Sequence, residues 1–254
     1  MAKNFVYPAT GFYSATITDA NYAAGTFNSD PPSETITGEE RINDQSIGTA
    51  LTDFANADAI QFDFGTDLTA DTVAFYFNAA EADSLTLYAS ANADASSPTL
   101  TQAITDDFTV GWNVITLAAE HTKQYWFLVA TSAGGLVGLT EMFLGVQYDF
   151  PINFELNNTL GELSGADNIT AWGGQEYSNK RHENKSTWDW NWKFMSAAHK
   201  AAMDTLNSTV GDHTKFIYDD ETTKHWVKQN KLMKFTEVAP SVYSTSVSLR
   251  EQLI

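Results

Sequence analysis

Six runs of six or seven residues dominate the first half of the chain: Ala59–Phe64, Thr72–Phe77, Ser84–Ser90, Trp112–Leu117, Gln124–Ala130 and Met142–Tyr148. Each is rich in aromatic and β-branched side chains, and clusters of Gly, Asp, Asn, Ser and Thr separate them, which is the pattern of strands joined by turns. No amphipathic helix lies between them. A parallel sheet needs crossover helices, so the runs predict an antiparallel β-sandwich. Ala91–Pro98 reads as an exposed loop and Ser132–Gly135 as a turn. Gly134-Gly135 precedes neither a lysine nor a helix pattern, so it is no phosphate cradle.

Asp149-Phe150-Pro151 marks a boundary, because the proline ends a strand and the composition changes there. Residues 1–150 carry 19 acids and 3 bases, a net charge of −16, while residues 151–254 carry 13 acids and 11 bases, a net charge of −2. Five of the seven tryptophans follow the boundary. We therefore divide the chain into an acidic sandwich over 1–150, with its core at about 40–148, and a smaller β-rich domain over 151–254. The acidic half repels phosphate backbones within a Debye length of roughly 8 Å, which excludes nucleic acid as its partner. No stretch reaches the roughly 18 apolar residues of a membrane span, and Met1–Tyr7 has no apolar run of signal-peptide length. The reading is of a soluble, unprocessed chain.

The second half opens with Asn153–Leu156 and a turn-rich stretch through Gly161, Gly165, Gly173 and Gly174. Trp188, Trp190 and Trp192 then alternate with Asp189, Asn191 and Lys193, so a strand places three indoles on one face. Ser196 is the expected N-cap of the one helix, 196–207, with Ala198, Ala201, Ala202 and Leu206 on its packed side and Gly211 beyond its end. Strand character returns at Lys215–Tyr218, Lys224–Lys228, Leu232–Val238 and Val242–Leu249. Asp219-Asp220-Glu221 forms a charged hairpin tip. Only Ser29–Glu40 has the composition of a disordered segment.

No catalytic constellation emerges, and the chain reads as a non-enzyme with no cofactor. It has no cysteine, which removes thiolate nucleophiles, thiolate metal sites and disulfides. His121, His182, His199, His213 and His225 show no metal-ligand spacing. No G-x-S-x-G turn is present. Asp106-Asp107 and the 219–221 acids read as solvated tips, since adjacent carboxylates do not converge on one point. Asp44, Asp53 and Asp58 come nearest to a calcium set but lack its spacing, so no metal site is assigned.

What remains is contact chemistry. The indoles of Trp188, Trp190 and Trp192 offer a protein interface, a sugar platform or simply core. Lys180, Arg181, His182 and Lys185 form the one concentrated basic patch, able to orient an acidic neighbour. We take Trp188, Trp190, Trp192, Lys180, Arg181 and Lys185 as candidate interface residues, and Trp112 and Tyr125 as candidate ligand contacts.

Asp44–Gly65, with a D-x-x-x-x-T element and a strand ending in D-x-G, resembles the opening of the discoidin or galactose-binding-like jelly roll. Thr72–Phe77, Leu85–Ser90, Tyr125–Ala130 and Gly138–Gly145 are similar to its later strands. That resemblance implies a module that binds sugars, lipids or proteins through loops at one end. Gly173-Gly174-Gln175, Trp188–Phe194, Ser196–Gly211 and Val242–Glu251 resemble, in their order, domains of tail-tip and baseplate proteins of long-tailed bacteriophages; Lys215-Phe216-Ile217 departs by lacking a proline. This second resemblance implies a virion subunit assembled in the host cytoplasm, with copies of itself in a hexameric ring and other tail proteins as partners. A host-surface glycan is a further partner of that reading, and the alternative is a carbohydrate-binding module with an auxiliary domain, in which Trp112, Tyr125 or loop residues near Ala91–Pro98 contact sugar.

Overall fold

A computed structural model describes residues 3–23, 26–28, 36–52, 54–80, 84–104, 108–131, 138–151, 154, 158–172 and 174–252. Among the described residues the fold is mainly β with one α-helix, as the sequence predicts. The chain forms two compact units, Val6–Gln147 and Met1–Phe5 with Tyr148–Ile254.

The N-terminal unit is an antiparallel β-sandwich. Its strands are β1 (Asn4–Pro8), β2 (Thr16–Ala23), β3 (Thr26–Asn28), β4 (Asp58–Phe77), β5 (Leu85–Ser90), β6 (Leu100–Ile104), β7 (Gly111–Ala130) and β8 (Leu139–Asp149). Four of the expected strands are two: Ala59–Phe64 and Thr72–Phe77 are the ends of β4, and Trp112–Leu117 and Gln124–Ala130 are the ends of β7. The two long strands pair along their length through a reciprocal irregularity. Residues 64–67 of β4 sit opposite Gln124 alone, and residues 117–120 of β7 sit opposite Asp71 alone. Such bulges bend and twist a ladder. The first end of β4 then pairs with β2 and its second end with β8.

Side chains at the two irregularities hold them. Asp63 Oδ1 accepts from Gly65 N at 2.8 Å and from Gln124 Nε2 at 2.9 Å. Asp71 Oδ1 accepts from Gln147 N at 3.0 Å and from Thr72 Oγ1 at 2.8 Å. Gly65 has φ +67°, a left-handed backbone that glycine adopts without strain. On either side the ladder is packed: Phe62, Phe75, Phe77, Trp126 and Phe127 have no exposed surface. Phe77 stacks on Phe108 at 4.5 Å, and Phe27 on Phe127 at 4.1 Å.

The C-terminal unit contains β9 (Thr159–Leu163), β10 (Ala166–Thr170), β11 (Glu176–Lys180), β12 (Lys185–Ser196), α1 (Ala197–Val210), β13 (Phe216–Asp219), β14 (Lys224–Gln229), β15 (Thr236–Ala239) and β16 (Val242–Glu251). Ser196 caps α1 by accepting from His199 N at 3.2 Å. The packed side of the helix differs from the expectation. It is His199, Met203, Leu206 and Val210, while Ala198 and Ala201 face solvent. The 3-4-7 spacing of the larger side chains buries more apolar area than the alanines offer. The helix also runs three residues further, to Val210, and Gly211 at φ +58° ends it. Asp219–Glu221 is the tip of the β13–β14 hairpin.

Several expectations fall outside the described residues: Asp53, Asp106-Asp107, Ser132–Gly135, residues 29–35 of Ser29–Glu40, Gly173, and Asn153–Leu156 apart from Phe154. The described remainder of Ser29–Glu40 is ordered around a Thr37–Thr52 bridge and a 3-10 turn at Glu39–Arg41.

Candidate functional site

Exposed apolar side chains single out one element. β9 pairs with β12 from Leu163↔Lys185 to Thr159↔Asp189, and β10 pairs with β11 from Ala166↔Lys180 to Thr170↔Glu176. The two ladders follow one another along the same chain segments, so together they make one long hairpin. We call it the arm. At its irregular joint, Ser164 and Gly165 sit opposite residues 181–184. Gly165 O accepts from Arg181 N at 2.8 Å, and Asn184 Nδ2 donates to Glu162 Oε2 at 2.9 Å. No Cβ fits at Gly165, because the His182 carbonyl occupies that space.

Beyond the joint nearly every side chain meets solvent. Ile169 and Tyr177 lie opposite each other at 64 % and 56 % exposure, and Trp172 at the tip is fully exposed. Leu160 and Leu163 on β9 add 74 % and 47 %. Among the described residues nine large apolar side chains are exposed, and five of them are on the arm. A two-stranded ribbon without a third strand or a covering helix is marginal in water. Its exposed Ile, Tyr and Trp, with the two Leu of β9, are apolar side chains of the kind that contact surfaces carry.

The arm also carries part of the basic patch. Arg181 pairs with Asp167, and Lys180 Nζ with Glu183 at 2.6 Å. Both pairs are solvent-exposed, so each contributes only about 0–1 kcal/mol. They leave the arm close to neutral. Lys185 is half-buried at the base, opposite Leu163.

The three tryptophans proposed as interface residues are corrected to core. Trp188, Trp190 and Trp192 are 4 %, 1 % and 2 % exposed. Phe154 stacks on Trp190 at 4.7 Å, Phe150 meets Trp192 edge-on at 5.6 Å, and Tyr218 packs on Trp188 at 5.7 Å. The alternation that put the indoles on one face is the reason they are hidden, since that face carries the unit's aromatic core. Trp112 is corrected likewise: at 6 % exposure it lies between Tyr76 and Phe143 and cannot present its ring to a ligand. Tyr125 is half-buried against the cluster of Phe27, Tyr88 and Phe127. Sequence reasoning missed Trp172, Tyr177, Ile169, Leu160 and Leu163. The available signal was a tryptophan directly before Gly173-Gly174, a glycine pair that marks a turn, and turns lie at the surface.

Titratable groups converge at one other place. His225 Nδ1 lies 3.1 Å from Glu251 Oε1, and Nε2 lies 3.4 Å from Asp220 Oδ2. Burial alone would raise both acids. For Asp220 the N–H groups of Thr223 and Thr222 and the His225 ring outweigh it, and for Glu251 Ser186 and the same ring do, so both stay below the usual carboxylate range. With a carboxylate on each ring nitrogen, His225 has no free nitrogen to take a substrate proton. The group is a clamp joining β14, the 219–221 tip and β16. Among the described residues no set of three His, Asp or Glu side chains is placed to hold a metal. A polar groove of about 500 Å³ runs beside β12, β15 and β16, lined by Asn191, Lys193, Lys234, Thr236, Ser244 and Ser246. It contains no carboxylate and no nucleophile–base pair.

The sequence matches no protein-family model and no curated protein. Among solved structures, a chitosan-binding module 1 from a chitosanase/glucanase of Paenibacillus sp. IK-5 is 22% identical, covering 53% of this chain and 98% of that chain with a TM-score of 0.38. Chitosan-binding module 2 of the same enzyme, in complex with chitotriose, is 18% identical, covering 50% and 93% with a TM-score of 0.35. The family 32 carbohydrate-binding module of Clostridium perfringens NanJ, in complex with galactose, is 12% identical, covering 56% and 98% with a TM-score of 0.37.

Proposed function

We propose that this chain is a non-catalytic structural subunit that assembles through the arm of its C-terminal unit, with the acidic sandwich left out of the contact. The single observation that carries this reading is the arm itself, an exposed ribbon with Leu160, Leu163, Ile169, Trp172 and Tyr177 open to solvent. Charge supports the same division. Residues 151–254 are near neutral and can approach a neighbour, while a net −16 over residues 1–150 keeps sandwiches of different copies apart. The finer assignment, a tail-tip or baseplate protein that forms a hexameric ring in a phage virion, rests on the order of motifs in the C-terminal sequence. Light scattering on the purified chain across a concentration series tests the reading. Discrete species at multiples of 28.0 kDa are expected, shrinking towards the single chain in a Trp172→Asp, Tyr177→Asp variant. A strict monomer at every concentration overturns self-assembly.

A second reading, that the sandwich is a carbohydrate-binding module, is favoured by the loop over residues 91–98. Asn92 N donates to Ser90 Oγ at 3.0 Å, Ser96 N to Asp94 Oδ1 at 2.9 Å, and Asn92 Nδ2 to Ser96 Oγ at 3.2 Å. These bonds order an exposed, polar loop of the kind that meets sugar hydroxyls. Chitotriose and galactose are the first ligands to try by calorimetry, with an Asn92→Ala, Asp94→Ala variant as control. Binding lost in the variant supports this reading, and no binding to a broad glycan array removes it.

A further inference from the structure

We propose that protonation of His199 releases the first turns of α1 from the sheet, so that acid uncovers the aromatic side chains beneath them while the rest of the helix stays seated. The inference is independent of the assembly reading above.

The helix is anchored unevenly. Towards its end Met203, Leu206 and Val210 are fully buried. Polar bonds reinforce them: Asn207 Oδ1 accepts from Met233 N at 2.8 Å, and Gly211 O accepts from the buried Gln229 Nε2 at 3.0 Å. From Ala197 to Ala202 only His199 is buried. Its ring lies between Tyr148 and Trp192, at centroid distances of 5.8 Å and 6.3 Å. The hold is apolar, because among the described residues neither ring nitrogen has a hydrogen-bond partner. Ser196, on the other side of this segment, pairs with Val242 in the sheet. The chain is therefore held before residue 197 and after residue 202, and between them by one imidazole.

That place suits the neutral ring and no other form of it. A buried cation needs a counter-charge or acceptors for its N–H groups. His199 is the third residue of α1, and the positive end of the helix disfavours a cation there. The groups around the ring supply no remedy. β8 presents the Tyr148 phenol and β12 the uncharged Trp192. On the helix itself, Lys200 pairs with Asp204 at 3.0 Å and lies over the rings of Phe235 and, on β16, Tyr243. Burial is the one cause that moves the imidazole, downwards from 6.5, and no carboxylate offsets it.

Release returns the ring to water and to its ordinary value. Below about pH 6.5 the open form binds a proton that the closed form refuses, so its population grows by up to about tenfold per pH unit until the folded value is reached. The indole and phenol that His199 covers then become accessible, a patch of apolar surface present in acid and closed at neutral pH.

Hydrogen–deuterium exchange of the full chain at pH 7.5 and pH 5.5, corrected for the pH dependence of exchange itself, tests this. The amides of Ala201–Asp204 bond to carbonyls in the first turn, and are expected to lose up to about tenfold in protection at pH 5.5, with Leu206–Val210 unchanged. His199→Leu keeps the apolar anchor and removes the proton site, so its protection should be the same at both pH values. His199→Gln, polar but uncharged, should be less protected at pH 7.5 and equally insensitive to pH. Protection of Ala201–Asp204 that ignores pH, a loss shared equally by Leu206–Val210, or an acid loss that persists in either variant overturns the proposal.

Discussion

His225 links two carboxylates that are 31 residues apart in the chain: its Nδ1 meets Glu251 at 3.1 Å and its Nε2 meets Asp220 at 3.4 Å. Glu251 also accepts from Ser186 N at 3.0 Å, so one side chain ties β16 to both β14 and β12. Removing its charge by Glu251→Gln should lower the stability of the C-terminal unit by about 1.5–3 kcal/mol, the range for a hydrogen bond to a charged group. Urea denaturation followed by tryptophan fluorescence reads this, and five of the seven indoles lie in residues 151–254. Both acids are depressed in the folded state, so their contribution is complete above their unfolded values near pH 4. It is lost as pH falls through the lower folded values. The Glu251→Gln variant should show a shallower loss over that range, and an unchanged acid limb would exclude the clamp.

His199 titrates in a different window. It is 2 % exposed, lies 5.8 Å from Tyr148 and 6.3 Å from Trp192 by ring centroids, and among the described residues neither ring nitrogen has a hydrogen-bond partner. Burial pushes its imidazole below the ordinary value of 6.5. The unfolded chain then binds a proton that the folded chain refuses, so stability is complete above about pH 6.5 and declines as pH falls below it towards the folded value. His199→Leu should abolish this part of the pH dependence and cost little at pH 8, because no hydrogen bond is broken. Thermal melts at pH 8 and pH 5.5 decide it: an equal acid shift in both proteins would assign the effect elsewhere.

The legibility of this chain follows from what each signal depends on. The runs at 59–64, 72–77, 112–117 and 124–130 were visible because alternation and composition are local. Their fusion into β4 and β7 was not, because Gly65-Thr66-Asp67 reads as a turn and Ala118-Ala119-Glu120 lacks strand character, and both belong to strands only as parts of the two bulges. The helix and its Ser196 cap were readable from position-specific chemistry, yet its buried face was not, since alanine suits either side. At the site the same limit appears. The Trp188–Trp192 alternation announced one face but not whether that face looks inward. The arm's pairing of Ile169 with Tyr177 depends on a joint at Gly165 whose geometry no local pattern reveals.

Two tryptophans with opposite roles give a sharper test of the arm. Trp190 is 1 % exposed among Phe5, Phe150, Phe154 and Tyr218, whereas Trp172 touches solvent all round. Trp190→Ala should cost about 3–5 kcal/mol, the usual range for emptying a core aromatic site. Trp172→Ala should leave the denaturation midpoint of dilute protein unchanged and lower the concentration-dependent mass. A stability loss above about 1 kcal/mol at Trp172 would mean that the indole folds back onto the unit.

The N-terminal unit holds a carboxyl whose pH response runs the other way. Asp19, on β2 opposite Ile60, is pushed up to about 6, first by burial and then by the negative charge of Glu39, with Asp58 and Glu40 adding to it against a hydrogen bond from the Ile36 backbone. Between pH 4 and 6 the folded unit holds a proton that the unfolded chain has released, so stability falls as pH rises through that interval and stays lower above it. Asp19→Asn keeps the acceptor for Ile36 and removes the charge. It should stabilise the unit at pH 7.5 by about 1 kcal/mol, a figure reduced because the carboxyl is partly exposed and screened, and change nothing at pH 4. Added salt should narrow the difference between the two proteins at pH 7.5, since it screens the repulsion among Asp19, Glu39, Glu40 and Asp58. A variant equally destabilised at both pH values would show that the Asp19 side chain acts by its hydrogen bond and not by its charge.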